Sequence, residues 1–197
     1  WNMRYPDAEK PEGMILWAAN LRGPMALPGD YRARLVLGND SMETAFTIRR
    51  DPRTSASNEE LAAQFNFLIG VRDKVNETHQ AIEHIREARR QMDQLKDKLN
   101  GREEYRALIS RIDSVRKKLT GVEETLYQTK NRSNQDPLNF PIRLNNKLAH
   151  LMFLSNVGDF EPTDQAIAFK EEVTAEVDRA LETLSEITVR DIPALNA

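Results

Sequence analysis

Apolar positions along this chain follow two rhythms, and the change falls between Ile48 and Leu61. The first region begins with Gly13-Met14-Ile15-Leu16-Trp17, a short apolar run behind a Pro/Gly-rich lead, which predicts a buried strand. After a turn at Pro28-Gly29-Asp30, residues Tyr31, Ala33, Leu35 and Leu37 alternate with Arg32 and Arg34, the period-two pattern of a strand with one apolar face. Gly38-Asn39-Asp40 predicts a hairpin turn, and Met42, Thr44, Phe46 and Ile48 alternate on the returning strand. About three strands cannot close a sandwich alone. Two arrangements follow: the second half of an immunoglobulin-like domain, or a sheet that leans on the helices.

Beyond Pro52 the period becomes helical. Ser57 reads as an N-cap with Glu60 completing a capping box. The first predicted helix covers about Asn58 to Leu99, with Leu61, Phe65, Leu68, Val75, Ile82, Ile85, Met92, Leu95 and Leu99 as its stripe. Arg72 and His79 occupy stripe positions, and the spacing slips near Ile82–Ile85. Such a helix is roughly 60 Å long. Asn100-Gly101 predicts a tight turn into a second helix with the cleanest heptad of the chain: Tyr105, Leu108, Ile112, Val115, Leu119, Val122 and Leu126. The short connection makes the pair an antiparallel hairpin. The heptads read first as the bundle's own core. The sharper reading is that the tip, Leu95 to Tyr105, beyond the reach of the third helix, exposes an apolar seam to a partner helix or a second copy.

Asn131 to Phe140 is dense in turn formers, and a third helix resumes behind Pro141, read as a first-turn proline. Gly158 stops it. Thr163 caps a fourth helix with stripe Ala166, Phe169, Val173, Val177, Leu181, Leu184 and Ile187. The predicted class is α+β: a partial immunoglobulin-like β module over 1–53, a linker at 54–57, and an antiparallel three- to four-helix bundle over 58–197. Within the bundle, a long hairpin covers 58–130, a loop 131–140, and two helices 141–157 and 162–189.

Composition narrows the chemistry. The 197 residues hold no cysteine, which excludes disulfides, thiolate zinc sites and Cys nucleophiles. A net charge of −3 gives no electrostatic reason to expect a nucleic acid partner. No apolar run approaches the roughly 18 residues of a membrane span. The chain opens on Trp1 rather than Met and is read as an internal piece of a longer protein, with any targeting segment upstream.

No catalytic, cofactor-binding or metal-ligating residue is assigned. His79 and His84 are five apart, about 140° around a helix, whereas a metal pair needs a spacing of three or four. With His150 they read as structural or solvated. Adjacent acids such as Glu103/Glu104 and Glu123/Glu124 point about 100° apart, and helix-end or solvated positions explain them. The basic runs Arg86/Arg89/Arg90 and Arg116/Lys117/Lys118 read as solvated faces with weak i,i+4 pairs.

One loop carries the best candidate surface. Arg132, Asp136, Asn139, Asn145 and Asn146 supply a guanidinium, a carboxylate and three amides suited to fixing a backbone path or docking another domain. Asn39, Asn76 and Asn131 match the N-glycosylation pattern. Ser41 and Ser114 stand in Asp-Ser-aliphatic settings that resemble the O-glycosylation signal of exported Bacteroidetes proteins.

The order GMILW (13–17), PGDY (28–31), FTIRRDPR (46–53), YQTKNRSNQDPLNFPIRLNNKL (127–148) and PTDQ (162–165) resembles one bacterial family. It is the C-terminal region of large exported sortilin-like, BNR-repeat proteins that carry a glycosyl-hydrolase label. The resemblance covers essentially the whole chain and implies β-propeller repeats upstream, an immunoglobulin-like module and an extracytoplasmic location. It carries no glycosidase catalytic residue onto any position here. The implied role is a non-catalytic structural and interaction region that braces the upstream propeller or docks a partner at the cell envelope. The alternative is an accessory region of a secreted hydrolase, glycosidase or peptidase, whose active site lies in the propeller.

Overall fold

The computed structural model describes residues 1–196. Strands β1 (Gly29–Leu37) and β2 (Asp40–Ile48) form a two-stranded antiparallel sheet, and four helices follow. These are α1 (Asn58–Leu99), α2 (Arg106–Leu126), α3 (Leu144–Ser155) and α4 (Asp164–Glu186). The mixed architecture, a small sheet ahead of a helical body, agrees with the sequence reading.

α1 starts where the capping box predicts. Ser57 Oγ accepts from the Glu60 amide at 3.1 Å, and Glu60 Oε2 accepts from the Ser57 amide at 2.6 Å. Gly101, at φ +80°, turns the chain, and a single 3-10 turn at Glu103–Tyr105 leads into α2. One flank of the resulting antiparallel hairpin carries a polar ladder. Arg86 meets Glu123, Arg89 meets Thr120, Asp93 meets Arg116, and Lys96 meets Asp113. The rungs climb α1 in steps of three, four and three while descending α2 in the same steps, the spacing of one helix face.

The core is helical. Val75, Ile82 and Ile85 of α1 pack with Ile112, Leu119 and Leu126 of α2, Leu148 and Met152 of α3, and Val173 and Val177 of α4, all without solvent exposure. At Gly70 the Lys170 side chain crosses so closely that an added Cβ would lie 2.5 Å from its Nζ.

Three boundaries differ from expectation. Gly13–Trp17 is no strand: Gly13 takes φ +72°, and Met14 plugs into the helical core. Its backbone finds side chains instead of a neighbouring strand. The Ile15 amide donates to Tyr127 Oη at 3.2 Å, and the Trp17 amide to Asn146 Oδ1 at 2.6 Å. α3 begins at Leu144, so Pro141 is not a first-turn proline. Arg143 is extended (φ −110°, ψ −175°), and the Pro141 carbonyl is held by Gln128 Nε2 at 2.8 Å, which keeps the lead-in straight. α4 ends at Glu186, where a π turn over Ile187–Asp191 replaces the last predicted residues. The wider turn keeps Ile187 buried while Asp191 reaches Lys118 at 2.5 Å.

The N-terminal segment folds back on itself beside the helices. The Tyr5, Ala8 and Ala26 amides bond to the carbonyls of Pro24, Leu21 and Met3 at 2.7–3.0 Å. Gly23 permits this approach, because a Cβ there would sit 2.0 Å from the Tyr5 carbonyl oxygen.

The β ribbon stands apart. Every residue from Arg32 to Thr47 is exposed. The sheet therefore does not lean on the helices, and it consists of two strands where about three were expected. Among the described residues no helix is long and apolar enough to cross a membrane.

Candidate functional site

The loop after α2 is built around one carboxylate. Asp136 accepts from the Arg132 and Ser133 amides and from Ser133 Oγ, and a 3-10 turn over Asp136–Leu138 follows. The two backbone N–H groups hold its carboxyl below the usual carboxylate range. Arg132 folds its guanidinium back onto the Thr129 and Asn131 carbonyls at 2.9 and 3.1 Å. Arg132 and Asn139 are exposed, and Asp136 is half-buried.

The other two loop candidates lie inside. Asn146 pairs with both backbone groups of Trp17, accepting at 2.6 Å and donating at 2.8 Å, so its amide serves as a one-residue strand. Asn145 is buried against His79 and Met14. The structure thus separates the five: Asn145 and Asn146 tie the N-terminal segment to α3, while Arg132, Asp136 and Asn139 remain at the surface.

His79 is buried and belongs to that tie. Its Nδ1 donates to the Glu9 carbonyl at 2.6 Å, which leaves Nε2 to accept from Asn145 Nδ2 at 3.3 Å. Burial lowers its pKa below the ordinary histidine value. His84 is exposed on α1, and His150 Nδ1 lies 2.6 Å from the Ala18 carbonyl. Among the described residues no three His, Asp or Glu side chains converge as a metal site.

Sequence reasoning placed Glu123, Arg86 and Arg89 in solvent, and here it is corrected. Glu123 is only 2% exposed and bridges Arg86 Nε, at 2.7 Å, and Arg89 Nη2. The signal was present in the spacing. Glu123 follows Leu119 by four and precedes Leu126 by three, which puts it on the buried stripe of α2. Arg86 and Arg89 each follow a core isoleucine, Ile82 and Ile85, by four.

The ribbon is the second candidate surface. Gly38 takes φ +60° as the first of two turn residues, where a glycine-first hairpin turn requires it. Leu35 pairs with Met42 and Tyr31 with Phe46 on one face. Trp1 covers the root of that face, 5.9 Å from the Tyr31 ring and 6.1 Å from that of Phe46. Beyond it Leu35, Leu37 and Met42 are open, Leu37 being 80% exposed. At the root a cleft of about 810 Å³ lies between Ile48–Arg53 and the α1 residues Leu61, Phe65 and Leu68.

Of the glycan candidates, Ser41 is exposed next to the ribbon turn and accepts from Arg34 Nη2 at 3.2 Å. Ser114 is exposed on α2. Asn131 is buried, and Asn76 Oδ1 accepts from the Glu9 amide. At the hairpin tip, Leu95 is exposed while Leu99 and Tyr105 are half-covered.

No family model, curated protein or solved structure matches this chain.

Proposed function

We propose that this chain is a non-catalytic structural and interaction region of a larger exported β-propeller protein. In this reading the ribbon is part of an immunoglobulin-like module, and the helical body carries it against the propeller or an envelope partner. The observation that supports the reading is the uncovered ribbon. Two nine-residue strands present an apolar face and two unpaired edges, a state that is marginal alone and invites further β structure. The helical body offers a firm base, since the N-terminal segment is bonded to α1, to the residue that ends α2, and to α3 through His79, Tyr127 and Asn146. Ser41, beside the turn, has room for a glycan in an exported setting.

Hydrogen–deuterium exchange on the ribbon tests the proposal. In the longer protein, amides of 30–48 should exchange slowly; in this chain alone the edge amides should exchange fast. Equal exchange in both contexts overturns the docking role. Turnover of glycans or peptides by this chain alone would overturn the non-catalytic role.

A further inference from the structure

A cavity of about 310 Å³ opens where α1, the end of α2, the Asn131–Arg132 turn and Gly13 meet. Three arginines are among its lining residues, Arg86, Arg89 and Arg132, against a single acidic residue, Glu123. Positive charge is therefore in excess. Glu123 engages Arg86 through Nε alone, and the two terminal nitrogens of Arg86 donate no hydrogen bond among the described residues. Arg132 is held only by carbonyls, and the oxygens of the neighbouring Asp136 are occupied by the turn itself.

The second observation is independent of charge. Asn131 is 6% exposed, lines the cavity, and its Oδ1 is buried with no hydrogen-bond partner. An unmet buried acceptor calls for a donor. A simple anion satisfies the arginines and leaves Asn131 unmet. A neutral polyol does the reverse.

We propose that this cavity binds a small hydroxylated carboxylate, its carboxylate on Arg86 and Arg132 and a hydroxyl on Asn131 Oδ1. The site is pre-positioned. Thr120 Oγ1 holds Arg89 at 2.9 Å, Glu123 holds Arg86, and the Arg86 guanidinium lies 5.3 Å over the Tyr127 ring. At about 30 Å³ per water, the space equals roughly ten waters, enough for a six-carbon hydroxy acid.

Isothermal titration calorimetry with four probes separates the contributions. D-gluconate has both groups, hexanoate only the carboxylate, sorbitol only the hydroxyls, and inorganic phosphate the charge without the length. Gluconate should bind at least about tenfold tighter than each of the others. Arg132→Ala, at an exposed position, should weaken gluconate about tenfold or more, and Asn131→Ala should bring it down to the level of hexanoate. Circular dichroism checks that both variants remain folded. Absence of saturable gluconate binding overturns the proposal. So does phosphate or hexanoate binding as tightly as gluconate, or gluconate binding that neither Arg132→Ala nor Arg86→Lys weakens.

Discussion

Two antiparallel hairpins, each closed by a tight turn containing Gly and Asn, meet opposite fates in this molecule. The α1–α2 hairpin buries Ile82, Ile85, Ile112 and Leu119 completely, whereas the β1–β2 ribbon leaves Leu35, Leu37 and Met42 in solvent. Even their ion pairs differ. Glu43 lies 3.8 Å from Arg32 and 3.7 Å from Arg34 with all three side chains well exposed, while Glu123 is sealed between Arg86 and Arg89. The same pairing of acid and guanidinium thus has different weight, because burial removes the competing water. Local pairing makes a hairpin. Stability comes from what its open face meets.

Substitutions on the two hairpins sharpen this contrast. Leu119→Ala should cost about 3–5 kcal/mol in urea unfolding followed by helical circular dichroism, since the site is closed and cannot collapse freely. If the loss is near that of an exposed leucine, the packing described for α2 is wrong. Glu123→Ala should cost about 3 kcal/mol, near the lower end for breaking a buried pair, because both guanidiniums can turn partly to water.

Stability should also depend on pH through His79. Its pKa is lowered in the fold by burial, with Lys10 and Arg86 adding to the effect and the Glu9 carbonyl and Glu83 opposing it. The unfolded chain, with a histidine pKa of about 6.5, then binds the extra proton first. The contribution is full above that value and declines as pH falls from it towards the folded pKa. His79→Gln should flatten the urea midpoint between about pH 7 and pH 5 relative to the parent chain; an unchanged slope would assign the pH dependence elsewhere.

Ser57→Ala should cost about 1 kcal/mol through loss of the α1 cap, read by the same unfolding curve. Smallest of all, Leu35→Ala and Met42→Ala should stay within about 0.5 kcal/mol, because neither side chain is covered. A larger loss in either would show that the ribbon face packs on something within this chain.

What the sequence disclosed follows the range of each signal. Ser57 with Glu60, Thr163, Gly38 and Gly101 act on their immediate neighbours, so caps and turns were legible. The heptads of α2 named Ile112, Leu119 and Leu126 correctly because the helical period is itself local. Two things depended on distant partners. The run Gly13–Trp17 has strand composition, but its hydrogen bonds go to Tyr127 and Asn146, more than a hundred residues away. Glu123 looked like a surface acid because residue type outweighed its place on the Leu119–Leu126 stripe, and the facing arginines of α1 are what make a carboxylate tolerable there. The sharper surface candidates divided for the same reason: Asn145 and Asn146 share the polar character of Asn139, yet α3 turns them inward.

The polar ladder on the α1–α2 flank constrains how such a hairpin can change length. Its rungs are tied to one helical phase, so inserting a single residue into either arm between Arg86 and Glu123 would rotate everything beyond it by about 100°. With the insertion between Arg89 and Asp93, Arg116 would then face away from Asp93, while Arg86 and Arg89 would stay on Glu123. Removal of a matched heptad from both arms leaves every remaining rung in phase. Length variation in related chains is therefore expected in paired steps of seven, with the arms shortening together toward the Asn100-Gly101 bend.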